Sequence, residues 1–371
     1  MGQGGTGVVA VVAGAGEDEE GVAGFGQGRQ AAGEFASDSL NDSRGGFPGG
    51  PRGVFPLAHL FDGKNRQRHD GSLALMFGVK RVKSGMLSND EIRGWVRAAL
   101  AEDVGSGDVT TLATVPAEAR ISVTMVARER LVLAGVELAE AAFLEMWPGA
   151  KIERVASDGE RVPKGGALLR LVEAPARGVL TAERVALNFV QRLSGVATLT
   201  SRYVEAVAHT PARILDTRKT TTGWRRLEKY AVVCGGGMNY RIGLFDQVLI
   251  KDNHLAALRG EKPSAVAAAV TRARAAFPKL LVEVEADTLG QAEEAARAGV
   301  DIILLDNMSL EELREAVRQI GGRAKTEASG GVNLATVGAI AETGVDFISV
   351  GALTHSAPAV DIALDFAGDL A

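Results

Sequence analysis

Four stretches decide the reading of the fold: Leu280-Leu-Val-Glu-Val-Glu285, Asp301-Ile-Ile-Leu-Leu-Asp306, Ala324-Lys-Thr-Glu-Ala-Ser329 and Phe347-Ile-Ser-Val-Gly351. Each is a short, largely apolar run that closes on a polar residue or a glycine. Glu285 to Asp306 is 21 residues, Asp306 to Ser329 is 23, and Ser329 to Gly351 is 22. One strand, one helix and two loops use a comparable length of chain. Apolar stripes of helical period fill the gaps, at Leu289–Ala298, Leu310–Ile320 and Leu334–Thr343. Upstream, Arg213–Leu215 and Gln247–Ile250 read as strands, with a helix over Ala256–Phe277. Such alternation predicts a parallel sheet, because parallel neighbours need long crossovers. The even repeat favours a closed α/β barrel, with an open doubly wound sheet as the alternative.

Towards the N-terminus the pattern changes. Ser88-Asn-Asp-Glu91 reads as a helix start, followed by Ile92, Val96 and Leu100 on one stripe. Short strands are expected at Ile121–Val126, Leu131–Ala134, Lys151–Val155 and Ala167–Val172. Residues 86–180 therefore read as an α+β domain and residues 181–371 as the barrel. A last helix packing back on the first domain is expected. Residues 1–85 differ again: they hold 20 of the 46 glycines and no apolar period. They read as a disordered glycine-rich extension, with translation starting at Met86 as the alternative.

The 371 residues are 46% hydrophobic and 23% charged, so a large core can be buried. Aromatics at 5% and a net charge of −5 argue against a nucleic-acid binder. One cysteine, Cys234, rules out an intramolecular disulfide. No apolar run reaches the length of a membrane span. A soluble, cytoplasmic protein is the expectation.

The strand ends carry the chemistry. Barrel strands converge on one mouth at their C-terminal ends. There the chain places Asp216-Thr-Arg-Lys-Thr220, Lys251-Asp-Asn-His254, Glu285, Asp306-Asn307, Ser329-Gly-Gly331 and Gly351. Residues 213–252 hold eight Lys/Arg against four Asp/Glu, a basic patch in an acidic chain. That balance suits a small anion, for which arginine forks are good partners. Arg226 and Lys229 read instead as a solvated helix face. Gly330 and Gly331 before a helix suit a phosphate. Glu285 and Asp306 could bind magnesium or sugar hydroxyls.

The chain resembles the quinolinate phosphoribosyltransferase family. The resemblance rests on Glu183-Arg-Val-Ala-Leu-Asn188, Leu193-Ser-Gly-Val-Ala-Thr198, Asp216-Thr-Arg-Lys-Thr220, Gly235-Gly-Gly-Met-Asn239, Leu249-Ile-Lys-Asp-Asn-His254, Leu304-Leu-Asp-Asn307, Ser329-Gly-Gly331 and Val350-Gly-Ala-Leu-Thr-His355. It implies an N-terminal open-faced α/β sandwich and a C-terminal TIM-like barrel with fewer than eight strands. It also implies transfer of a phosphoribosyl group to quinolinate with Mg²⁺, by a homodimer or higher oligomer with shared active sites. Arg218, Tyr240 and Arg241 would bind quinolinate, with Arg184 supplied by the partner subunit. Lys219 and Lys251 would lie near quinolinate and pyrophosphate. Glu285 and Asp306 would face the ribose and metal, and Ser329, Gly330, Gly331 and Gly351 the 5-phosphate. The family commonly has histidine where this chain has Tyr240. That difference keeps a paralogous transferase of the molybdate-transport-associated type as an alternative. A Schiff-base aldolase using Lys251 is another.

Overall fold

The computed structural model describes residues 86–367. The readings made for residues 1–85, including the alternative start, lie outside them. The described chain begins with α1 (Asn89–Val104), where Ser88 and Glu91 form a reciprocal capping box and Ile92, Val96 and Leu100 are buried. A short α2 (Val109–Thr114) leads into β1 (Arg120–Ala127), β2 (Leu131–Val132), α3 (Val136–Met146), β3 (Ile152–Arg154), β4 (Arg161–Val162) and β5 (Ala167–Pro175). Next comes α4 (Ala176–Ala206), a 31-residue helix that runs unbroken through the expected boundary at 180/181. Its apolar positions, Val179 and Ala182 through Val196 and Tyr203, are buried along its whole length.

The second half follows as β6 (Arg213–Leu215), α5 (Arg225–Cys234), β7 (Val248–Ile250), α6 (Asp252–Ala256), α7 (Ala265–Ala276), β8 (Val282–Ala286), α8 (Leu289–Ala298), β9 (Ile302–Asp306), α9 (Leu310–Ile320), β10 (Lys325–Ser329), α10 (Val337–Ala341), β11 (Phe347–Ser349), α11 (Ala352–His355) and β12 (Ile362–Phe366). The strand order β6-β11-β10-β9-β8-β7 separates the two candidate topologies. The first strand lies beside the last, and every other neighbour is sequential. That is the wrap-around order of a barrel; a doubly wound sheet would put its first strand inside. Six strands form it among the described residues, and Met238, in the segment between β6 and β7, pairs in parallel with Leu215 of β6.

Three elements differ from expectation. The helix expected over Ala256–Phe277 is two helices, because Gly260 at φ 91° and Pro263 interrupt it and Ser264 caps a new start. The helix expected at Leu334–Thr343 shrinks to α10. Asn333 Oδ1 captures the N–H groups of Ala335 and Thr336 in a turn before it. The last described element is a strand where a helix was expected. Ile362 and Leu364 are buried with Ala363 part-exposed between them, and β12 pairs antiparallel with β1. The four-stranded sheet β12-β1-β5-β3 thus takes an edge strand from the far end of the chain.

Candidate active site

The polar residues that follow the apolar runs lie at the ends of their strands or just beyond them. Glu285 lies in β8, Asp306 ends β9 and Ser329 ends β10. Asp306 and Ser329 are direct partners across the β9–β10 ladder. Alternation within a strand sends Glu283 and Glu285, and likewise Glu327 and Ser329, to the same face.

The mouth can be followed residue by residue. At the end of β7, Lys251 pairs through Nζ with Glu285. Carboxylate oxygens of Glu285, Asp287 and Asp306 lie within 4.8 Å of one another. Asn307, at φ 54°, donates Nδ2 to Asp306 Oδ2 at 2.7 Å and its N–H to the Ser329 carbonyl at 2.9 Å. Gly330, at φ 96°, must be glycine, since a Cβ there would sit 2.1 Å from Asn307 Oδ1. At the end of β11, a Cβ on Gly351 would meet His355 Nε2 at 3.1 Å and Lys219 Cδ at 3.2 Å. Lys219 therefore runs against the Gly351 turn, and the ring returns to the loop after β6.

That loop holds Arg218. Arg218 and Arg241 each leave a buried Nε without a partner. Burial, then the Arg241 and Arg225 charges, lower the pKa of Arg218. Two guanidiniums that repel each other and keep unused donors are suited to a dianionic ligand. Arg241 also donates Nη1 to the Gln247 carbonyl at 3.2 Å and lies 5.8 Å over the Tyr240 ring.

Below the mouth is a buried polar layer that sequence reasoning missed. Lys229, expected on a solvated face, is 1% exposed and pairs with the wholly buried Asp216. The helix α5 turns this residue into the barrel, while Arg226 bonds Glu91 of α1 outside it. Asp216 Oδ1 also accepts the Tyr240 N–H at 2.8 Å, and Lys229 Nζ donates to the Tyr240 carbonyl at 2.9 Å. The Asn239 amide, with its nitrogen towards the acceptors, donates to Asp216 Oδ2 at 2.7 Å and to the Lys229 carbonyl at 2.9 Å. Burial raises the Asp216 carboxyl to about 7 against the pull of Lys229.

Glu283 and Glu327 lie in the same layer, both buried. Glu283 Oε2 accepts the Tyr240 hydroxyl at 2.6 Å and Gln247 Nε2 at 2.7 Å, and Ser349 Oγ donates to Glu327. The two carboxyls lie close enough for the charge on one to raise the proton affinity of the other. Glu283 Oε1 and Glu327 Oε2 have no donor among the described residues, a deficit that one proton held between the pair would relieve. Burial raises Glu283 to about 7, and burial with the Glu283 charge raises Glu327 well above the usual range. The signal for both was available: a glutamate inside an otherwise apolar strand run has to face a polar interior.

Arg218, Lys219, Lys251, Glu285, Asp306, Ser329, Gly330, Gly331 and Gly351 thus lie on the C-terminal strand ends and their loops, and Tyr240 and Arg241 join them just after Met238, which bridges to Leu215 at the end of β6. Arg184 does not join them. It is exposed on α4 and makes no hydrogen bond or ion pair to the others among the described residues.

Two family models match the chain: quinolinate phosphoribosyl transferase, N-terminal domain, over residues 108–194, and the C-terminal domain over residues 196–365. The chain is 46% identical to a nicotinate-nucleotide pyrophosphorylase (carboxylating) of Mycobacterium leprae, over 74% of this chain and 97% of that one. It is 44% identical to a chloroplastic protein of the same name from Oryza sativa subsp. japonica, over 76% and 79%. Among solved structures, the nicotinate-nucleotide pyrophosphorylase from Francisella tularensis superposes with a TM-score of 0.71 at 38% identity, over 77% of this chain and 99% of that one.

Proposed function

Since the chain belongs to the quinolinate phosphoribosyl transferase family, we propose that it joins quinolinate to phosphoribosyl pyrophosphate at the barrel mouth. The products are nicotinate mononucleotide, pyrophosphate and carbon dioxide, a step of NAD biosynthesis. The observation that carries this reading is the pair Arg218 and Arg241, with unused buried Nε donors and mutual repulsion. A pyridine dicarboxylate supplies the two negative charges they lack.

The mouth accounts for each bond change. Arg218 and Arg241 hold the carboxylates so that the ring nitrogen faces C1 of the ribose. The nitrogen lone pair forms the new bond as the C1–oxygen bond to pyrophosphate breaks, its electrons leaving with the phosphate. Lys219 and Lys251 offset the charge on that leaving group. Glu285 and Asp306 accept from the ribose hydroxyls and face the positive charge that develops at C1. Ser329, Gly330, Gly331 and Gly351 hold the 5-phosphate through N–H and hydroxyl donors. The ring nitrogen is then cationic, so the adjacent carbon can keep the electron pair left by departing carbon dioxide and take a proton. No covalent nucleophile is needed; orientation and fixed charge provide the acceleration.

Three clustered carboxylates, Glu285, Asp287 and Asp306, are hard oxygen donors of the kind Mg²⁺ takes. Bound there, Mg²⁺ would neutralise charge on the pyrophosphate. We place Arg184 in the partner's mouth, in a cytoplasmic homodimer. Its exposure, with no hydrogen bond or ion pair to it among the described residues, supports that placement. The deciding assay incubates the full chain with phosphoribosyl pyrophosphate and either quinolinate or nicotinate, and measures carbon dioxide. Release with quinolinate that depends on both substrates is expected; none despite intact folding overturns the reading.

A further inference from the structure

Outside the mouth, one buried ionic group is tied to two of its loops. Glu228 on α5 is fully buried, and its Oε1 accepts Arg192 Nη2 from α4 at 2.8 Å. The same carboxylate accepts Thr221 N–H at 3.0 Å and Thr221 Oγ1 at 2.8 Å. Arg192 extends the other way, donating Nη1 to the Ala357 carbonyl at 2.6 Å and Nη2 to the Thr354 carbonyl. Thr354 closes the circuit by donating Oγ1 to the Lys219 carbonyl at 2.6 Å, with a longer contact to the Gly351 carbonyl at 3.3 Å.

We propose that Arg192, Glu228 and Thr354 form a positioning clamp that fixes the loop carrying Arg218 and Lys219 against the turn at Gly351. One loop ends on the dicarboxylate and the other on the phosphate, so the clamp sets the distance between the two substrates. The proposal rests on the site assignment above. Its chemistry suits arginine: the planar fork reaches a carboxylate and two carbonyls at once, which a lysine ammonium in one place cannot do. A nitrogen attacking carbon tolerates little misplacement, so a clamp behind both loops affects productive binding without touching either ligand.

The test uses the full chain with Thr354→Val, which removes one hydroxyl at nearly constant volume, and Arg192→Lys, which keeps charge but not the fork. KM for quinolinate and for phosphoribosyl pyrophosphate, kcat and the thermal midpoint are measured. The clamp requires both KM values to rise by about threefold or more, with a smaller change in kcat. A merely structural contact would lower the active fraction, and so the apparent kcat, while leaving KM alone. If Arg192→Lys does not fold, Thr354→Val decides. A folded Thr354→Val enzyme in which either KM stays below that threshold overturns the proposal. Arg218→Ala in the same assay separates the two readings. If it is impaired while Thr354→Val is not, only the clamp fails; if it is unimpaired, the site assignment fails.

Discussion

The Tyr240 hydroxyl donates to Glu283 Oε2 at 2.6 Å, tying the residue beside Arg241 to the floor of the barrel. Its backbone is held as well, by Asp216 and Lys229. The ring that lies under the Arg241 guanidinium is therefore fixed from three sides. Burial, with the Glu283 charge, keeps its phenol protonated and donating.

Tyr240→Phe keeps that ring and deletes the donor. Glu283 Oε2 would retain only Gln247 among its neutral donors. A loss of about 1–2 kcal/mol in unfolding free energy is expected, with a rise in quinolinate KM. Urea unfolding and steady-state kinetics measure the two; a variant as stable as its parent would contradict the role of this bond.

Asp216→Asn should be more harmful, because it leaves Lys229 buried without its counter-charge. Destabilisation of about 3–5 kcal/mol is expected. Adding Lys229→Met to the same chain should recover part of it. Chemical denaturation of the single and double variants reads the difference, and additive losses would show that the pair is not coupled.

The Glu283–Glu327 pair makes stability depend on pH in a defined direction. Both carboxyls hold a proton more tightly when folded than the ordinary value of 4.5 allows. Their contribution is thus fully present below pH 4.5 and is lost as pH rises towards about 7, the value reached by Glu283. Glu327→Gln, which relieves the like-charge contact, should flatten the slope in that window. Unfolding curves across it provide the check, and an unchanged slope would count against the shared proton.

Arg218→Ala and Lys251→Ala should each lower turnover by about two orders of magnitude or more while the thermal midpoint moves little. The Arg218 side chain makes no hydrogen bond or ion pair among the described residues, and Lys251 is half exposed with a single ion pair to lose. Near-parental rates in either variant would remove that residue from the site.

Arg184→Ala and Lys251→Ala, each inactive alone, should partly recover when mixed and allowed to exchange subunits. One of the two mouths then holds neither lesion. Absence of recovery after demonstrated exchange would refute a shared site.

Much of the fold could be read locally. The strands β6 to β11 and α8 and α9 follow from apolar runs of the right period and from caps such as Ser309 with Glu312. The site residues at strand ends were legible for the same reason: a polar residue closing an apolar run marks the rim of a barrel. Lys229 was misread because a lysine on an amphipathic helix normally faces water; only the barrel interior supplies Asp216 to receive it.

The sequence by itself determined strands β6 to β11, helices α8 and α9, and most of the side chains at the mouth, because these depend on short-range periodicity. Tertiary structure alone decided that β12 completes the sheet of β1, that two glutamates are buried side by side, and that Arg192 reaches Glu228 and Thr354. Those contacts join residues dozens to hundreds of positions apart. Their energy comes from desolvation and hydrogen-bond geometry that exist only once the chain has closed around them.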